Sequence, residues 1–529
     1  MGVLVAPVEV RRESTLARLA RRSSERSIVF ALVSAATVLA VAIAGYHPYA
    51  EDGGIYAASV MRLLNTHLYP HDAAFAVEPS RWSLFAPAIA GLVRATHIPL
   101  AWILLLQHVV SIWATLFAVW MLAARCFARA EARAGAVLLM ACWFGLPVAG
   151  TALYVMDPYL TARSFAVPAM LVTICGTLDA ARQSTHSRGW ALWTTALAVC
   201  AVMHPLTAIY TVIATTAIHL QMRRAAKAWQ LIALCALLIA AATCASFFAP
   251  TESAEFVRAA LSRSYWFLSR WRWYEVVGLF APLMILSASV WFSGTGLAQA
   301  NDDTARVRRP LALAIATVGA TACVVAVLLS RGDAATYLIA RLQPLRIFQI
   351  VYIAMIILLG AWFGEYALKK SAWRWTAAVA LLGSAMFAAA RAEYPSSDHL
   401  ELPWATPKNA WVQAFDWTRD NTAKDALFAM DADYIHAAGE DAQDFRAIAQ
   451  RSVLPDFSKD GGEASIAPDL AEAWVQGVAA QTGLNAISDS ERTARLKPLG
   501  VVWVVLNVPA KTEFDCPYVN VAVRICRIP

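Results

Sequence analysis

Two acidic residues stand side by side in the run Tyr46-His-Pro-Tyr-Ala-Glu-Asp-Gly-Gly-Ile-Tyr56. A carboxylate at a bilayer edge can take a proton from a hydroxyl or steady a developing positive charge. Gly53 and Gly54 follow at once and permit a tight turn or the close approach of a ligand. Glu51 and Asp52 suit the first turn of a surface helix equally well, because a helix N-terminus favours negative charge. A third acid, Asp157, sits in Tyr154-Val-Met-Asp-Pro-Tyr-Leu-Thr-Ala-Arg163, between two apolar runs. Asp-Pro is also a good helix start, with Asp as cap and Pro in the first turn. Arg163 closes this run and is a candidate for holding substrate.

Further along, His204 precedes Pro205 in Met203-His-Pro-Leu-Thr207. It is a candidate substrate contact and also a natural structural turn. Arginines and aromatics then crowd together in Arg263-Ser-Tyr-Trp-Phe-Leu-Ser-Arg-Trp-Arg-Trp-Tyr-Glu275. Arg263, Arg270 and Arg272 suit a phosphate clamp, since guanidinium makes forked bonds to phosphate. The same composition suits an interfacial aromatic belt with snorkelling arginines. Arg331, Arg341 and Arg346 are further candidates for phosphate. Asp52 and Asp157 could hold a divalent cation such as Mg or Mn with waters, and nothing in the sequence decides for or against it. No phosphate-cradling Gly-Lys-Ser/Thr loop, His-Glu-x-x-His motif, zinc spacing or nucleic-acid motif is present.

These residues need membrane elements to position them. Of the 529 residues, 59% are hydrophobic and 15% charged, where a soluble domain carries about 25% charge. The deficit comes from uncharged runs such as 28–45 and 311–330, long enough to span a bilayer as helices. The fold class is therefore an α-helical polytopic membrane protein. Spans are expected near 28–46, 99–124, 135–154, 163–179, 190–203, 205–221, 228–249, 276–295, 310–329, 346–366 and 374–391, about eleven in all. Residues 83–97 are apolar but short and read as a helix lying on the outer surface. No acid falls near the middle of a span, which argues against an ion-coupled transporter.

Orientation follows from the loops. The leader 1–27 is basic and precedes a full span, so it reads as a cytoplasmic, uncleaved anchor. With the N-terminus inside, Arg125/Arg129/Arg133, Arg182/Arg188, Arg223/Arg224/Lys227, Arg306/Arg308/Arg309 and Lys369/Lys370/Arg374 all fall on cytoplasmic loops, as the positive-inside rule requires. Residues 393–529 hold 20 acidic and 12 basic residues and read as a small extracytoplasmic α/β domain after the 28–392 membrane domain. In this domain 411–418 and 470–478 are expected as helices and 426–430, 501–506 and 519–525 as strands. Cys516 and Cys526 are a disulfide candidate there. Gly439-Glu-Asp-Ala-Gln443 and Lys459-Asp-Gly-Gly462 read as surface turns.

With these residues in view, the chain resembles the GT-C superfamily of membrane glycosyltransferases, which includes protein O-mannosyltransferases and bacterial aminoarabinose transferases. The similarity covers roughly residues 28–250. Glu51-Asp52 matches the essential acid just after the first span, Asp157 the second acid between the third and fourth spans, and 83–97 a surface helix of the first outer loop. Two stretches depart from some members: Ser83-Leu-Phe-Ala-Pro87 replaces a Lys-Pro-Pro stretch, and Met203-His-Pro-Leu-Thr207 replaces a Lys-Gly turn. The resemblance implies a bacterial inner-membrane enzyme that moves a sugar from a polyprenyl-phosphate carrier to a glycan, lipid or protein acceptor at the outer face. It further implies Asp52 as base, Asp157 positioning acceptor or metal, and outer arginines on the donor phosphate. A non-catalytic envelope scaffold and a lipid or polysaccharide transporter are the alternatives.

Overall fold

A computed structural model describes residues 15–182, 187–223, 228–292 and 304–529. The start of the basic leader (residues 1–14) and the loop cations Arg224 and Lys227 lie outside the described residues. Among the described residues, eight helices are long and apolar enough to cross a membrane: Glu25–Ala44, Leu100–Cys126, Ala162–Arg182, Trp229–Phe247, Trp273–Val290, Ala305–Leu329, Leu338–Leu368 and Ala372–Glu393. In Trp229–Phe247 and Ala372–Glu393 only 6% of the apolar window is buried inside the protein. A helix that is apolar on its exposed faces needs lipid around it. The chain is a polytopic helical membrane protein.

The other three expected spans are helices too, but shorter or broken. Ser187–Met203 and Pro205–Met222 meet at His204, where Pro205 starts the second helix. The 135–154 segment is half of one: its helix, Ala130–Cys142, ends after 13 residues. Gly145, Pro147, Gly150 and Pro158 then break the helical pattern. Residues 143–161 fold back on themselves instead, with Val148 N donating to Leu153 O at 2.8 Å and Val155 N to Leu146 O at 2.9 Å. Irregular backbone of this kind is tolerated in a membrane protein only where protein or a cavity surrounds it. A helix stands where the 83–97 segment was expected, Phe85–Thr96, 12 residues long, about 18 Å at 1.5 Å per residue.

Small residues let the Ala130–Cys142 helix press directly onto the Phe348–Trp362 helix and the turn that follows it. A Cβ on Gly135 would lie 2.1 Å from the Gly360 carbonyl oxygen, and one on Gly364 2.1 Å from that of Glu131. Close approach through glycines spaced four apart is a common way for membrane helices to pack.

Beyond the last span the chain forms a mixed five-stranded sheet. The strands are β1 Leu427–Ala429, β2 Ser452–Val453, β3 Trp503–Asn507, β4 Tyr518–Val519 and β5 Val523–Arg527, in the order β2-β1-β3-β5-β4. β1 runs parallel to β2 and β3, and β5 antiparallel to β3 and β4. Alternate residues face opposite cores: Phe428, Trp503 and Val505 pack with Trp411 and Phe415, whereas Leu427, Val504 and Leu506 pack with Leu484 and Leu496. The expected 519–525 strand splits in two, because the Asn520 side chain caps a turn by accepting from Ala522 N and Val523 N, both at 2.9 Å. Cys516 and Cys526 form a disulfide.

The sheet portion is tied to the long loop after the first span. Arg446 pairs with Asp72 of that loop at 2.5 Å and with Asp460 at 2.8 Å, all three side chains buried. Tyr69 donates to Arg446 O at 2.9 Å, and Asp444 N to Tyr49 O at 2.9 Å.

Candidate active site

The first apolar helix ends at Ala44, and main-chain bonds steer the chain that follows. Tyr46 N donates to His399 O and His47 N to Pro158 O, both at 2.9 Å. The second bond sets this segment beside the Asp157 turn. Glu51 N then donates to Ala442 O at 2.8 Å, and Glu51 adopts a left-handed backbone with φ of 53°. A non-glycine residue there stores about 1–3 kcal/mol of strain, and such strain concentrates at functional sites. The helix Glu51–Leu64 starts at this point with Glu51 and Asp52 in its first turn. The helix-start reading of the two acids is thus correct, and it places both on a cavity wall.

Gly53 and Gly54 serve the protein's own packing rather than a ligand. A Cβ on Gly53 would meet Tyr159 Cβ at 2.8 Å, and one on Gly54 would meet Asp444 Cβ at 2.1 Å. Without these glycines the acidic turn could not sit between the Asp157 turn and the sheet portion.

Arg163, in the first turn of Ala162–Arg182, joins the two acidic sites. Its Nη2 donates to Asp52 Oδ2 at 3.1 Å and to Asp157 Oδ2 at 2.9 Å, and its Nε to Asp157 Oδ2 at 3.3 Å. Asp157 is only 5% exposed. Burial pushes its carboxyl above the usual carboxylate range, and Arg163 opposes that shift. Asp157 does not line the cavity. It holds Arg163, and Arg163 holds Asp52, whose side chain remains 33% exposed.

A second cation arrives from the C-terminal portion. Lys459 Nζ bonds Glu51 Oε2 and lies 3.7 Å from Asp52 Oδ1. Burial pushes the ammonium down to about 8. The adjacent carboxylates favour the charged form, so the contact geometry keeps Lys459 protonated at neutral pH. The 459–462 segment is therefore no surface turn: it opens the helix Lys459–Ile466. The 439–443 segment is likewise not simply a surface turn, since Glu440 and Gln443 within it are buried.

The cavity these groups face has a volume of about 860 Å³. Glu51, Asp52, Arg163, His204, Arg263, Arg341 and Arg346 all line it. His204 caps the Pro205–Met222 helix, its Nδ1 accepting from Thr207 N at 3.2 Å. Burial pushes this imidazole down to about 3, so it is neutral. Arg263 is not a free clamp: it donates to Ser458 O at 2.5 Å and Phe457 O at 2.6 Å, anchoring the start of the Lys459–Ile466 helix. Arg270 and Arg272 lie outside the cavity. Arg270 donates to Leu261 O and stacks on Phe267, and Arg272 stands beside Tyr274. Arg331 pairs with Asp333 at 2.6 Å.

Arg341 and Arg346 differ from the rest. No ion pair or side-chain hydrogen bond to either is found among the described residues, and the buried Nε of Arg346 has no acceptor. Arg346 has only the ring of Tyr265, 5.8 Å away. Met203, Leu206, Ile209 and Leu342 add apolar lining to the same cavity. Toward the sheet portion the lining turns polar, with Glu78, Lys459 and Glu463. Glu463 is 8% exposed, and neither of its oxygens has a protein partner. Burial, with Asp460 nearby, raises its carboxyl well above the usual range.

Asp52 and Asp157 do not fit a divalent cation. The Arg163 guanidinium fills the space between them, and Lys459 covers the other side of Asp52. Among the described residues no group of three or more His, Cys, Asp or Glu side chains could hold a metal.

No family model matches the chain, and no curated protein matches it. Two solved structures from Archaeoglobus fulgidus are similar to it. One is the archaeal oligosaccharyltransferase AglB in complex with an inhibitory peptide and a dolichol-phosphate, 12% identical over 91% of this chain and 70% of that one, with a TM-score of 0.46. The other is an oligosaccharyltransferase complex with Zn and sulfate, 13% identical over 90% of this chain and 68% of that one, with a TM-score of 0.39.

Proposed function

We propose that this chain is a GT-C-type membrane glycosyltransferase, moving a sugar from a polyprenyl-phosphate carrier to an acceptor at the outer face of a bacterial inner membrane. The observation that carries the reading is one cavity holding a partly exposed carboxylate, Asp52, together with two unpaired arginines and apolar lining. Unpaired guanidinium groups in a half-buried cavity are costly unless an anion completes them. A lipid phosphate supplies that anion, and its hydrocarbon tail suits Met203, Leu206 and Ile209.

In this reading Asp52 takes the proton of an acceptor hydroxyl as its oxygen bonds to the anomeric carbon. The bond from that carbon to the phosphate oxygen breaks, and its electron pair leaves on the phosphate. Arg341 and Arg346 hold the charge that develops there. Arg163 fixes Asp52 through Oδ2, and Oδ1 lies 3.7 Å from Lys459 Nζ. Asp157 acts one step back, by holding Arg163. The open cavity supports an enzyme over a filled, non-catalytic scaffold.

The test is sugar transfer by the purified protein in proteoliposomes, from a panel of polyprenyl-phosphate-linked radiolabelled sugars into endogenous envelope extracts. Transfer that falls about 10²–10⁴-fold in Asp52→Asn, the usual weight of a general base, is expected. Undiminished transfer by that variant overturns Asp52's role.

A further inference from the structure

We propose that Lys459 is the resident counter-ion of the Glu51–Asp52 pair, filling with Arg163 the place that a divalent cation takes in carboxylate sites, so that the site works without a bound metal ion. The role of the site in sugar transfer rests on the reading above; the cation placement does not.

Three carboxylates meet at this point, Glu51, Asp52 and Asp157. Each is in contact with a protein cation: Glu51 with Lys459, Asp157 with Arg163, and Asp52 with both, one on each oxygen. Lys459 and Arg163 together bring the charge of one divalent ion. An ammonium group at 14% exposure is stable only when paired, and among the described residues its ion pairs are with Glu51 and Asp52.

The lysine is delivered by a built support. Asp456 Oδ1 accepts from Ser458 N at 2.7 Å and from Lys459 N at 2.6 Å, fixing the first turn of the Lys459–Ile466 helix. Arg263 grips the two carbonyls just before it. Trp474 Nε1 donates to Asp456 O at 2.9 Å, and a Cβ on Gly461 would strike Arg263 Nη2 at 2.7 Å. Asp456, Arg263 and Trp474 thus converge to aim one side chain at the acidic pair. Lys459 is a positioning residue: it bridges Glu51 and Asp52 and restricts where Asp52 Oδ1 points, a task that a metal ion would otherwise perform.

The experiment reads cation binding on the full chain in detergent, without any transfer assay. The melting temperature of the wild type, Asp52→Asn, Lys459→Ala, Lys459→Arg and Lys459→Ala/Asp52→Asn is measured with EDTA and with millimolar MnCl2. The wild type and Lys459→Arg are expected to melt at the same temperature under both conditions. Lys459→Ala is expected to gain at least ~1 °C with MnCl2 as the vacated pair takes the ion, and the double variant to lose that gain. A wild-type melting temperature that falls with EDTA, in a way that Asp52→Asn abolishes, overturns the proposal. So does a folded Lys459→Ala that ignores MnCl2. If Lys459→Ala does not fold, the wild-type and Lys459→Arg melts decide alone. Absence of transfer in every form would count against the proposed function and leave the cation placement untouched.

Discussion

At the scale of single residues, the chain of contacts Asp157–Arg163–Asp52 orders the roles. Arg163→Ala removes the partner of a buried carboxylate, which costs about 3–5 kcal/mol, and it frees Asp52 as well. Reduced thermal stability and loss of transfer are both expected, and a variant with normal melting and normal rate would contradict the arrangement. Glu463 gives a pH prediction. Its neighbours are Asp460, Arg446, Glu78 and Asp444, and burial raises its folded value well above the ordinary 4.5. A raised folded value means that this group favours folding fully below 4.5, and that the contribution is lost as pH rises toward the folded value. Glu463→Gln should therefore gain melting temperature over the wild type progressively above pH 5. A constant difference between the two across pH 5 to 8 would show that the carboxyl titrates normally. Asp52, Asp157, Arg163, His204, Arg341 and Arg346 were legible as candidates because acid, Pro and Arg at the ends of apolar runs are conspicuous. Lys459 and Glu463 were not. They lie hundreds of residues from Asp52, on a helix whose start has the composition of a surface turn, and no local pattern says that such a turn is buried.

At the scale of elements, apolar runs made the helices legible, and strand propensity located β1 and β3. Two features were hidden. The 143–161 segment is as apolar as a span, and only its glycines and prolines hint that it folds back around the cavity. The two-residue strand β2 carries too little pattern to find, because parallel pairing with β1 defines it. The tight contact at Gly135, Gly360 and Gly364 leaves no space for a side chain. Gly135→Leu should destabilise the bundle by about 1–3 kcal/mol, read as a lower melting temperature in detergent. A neutral effect would mean that the two helices are not pressed together there.

At the scale of the whole molecule, the site belongs neither to the membrane bundle nor to the sheet portion alone. Asp52 comes from the loop after the first span, Arg163 and Arg346 from the bundle, and Lys459 from beyond the last span. The buried Asp72–Arg446–Asp460 cluster joins the loop to the sheet portion. Asp72→Ala leaves Arg446 with one buried partner fewer, and a loss of up to about 3–5 kcal/mol is expected. Limited proteolysis of the 47–98 loop should then quicken; unchanged cleavage would show that the cluster does not hold the loop. In the proposed reaction Asp52 activates an acceptor against a lipid-phosphate sugar held by Arg341 and Arg346. The most direct measurement is the rate of transfer from polyprenyl-phosphate-linked sugar in proteoliposomes, compared across the wild type, Asp52→Asn and Arg341→Ala/Arg346→Ala. The account predicts that Asp52→Asn loses rate with its donor KM little changed, and that the double arginine variant loses donor affinity. Transfer by both variants at the wild-type rate and KM would contradict it.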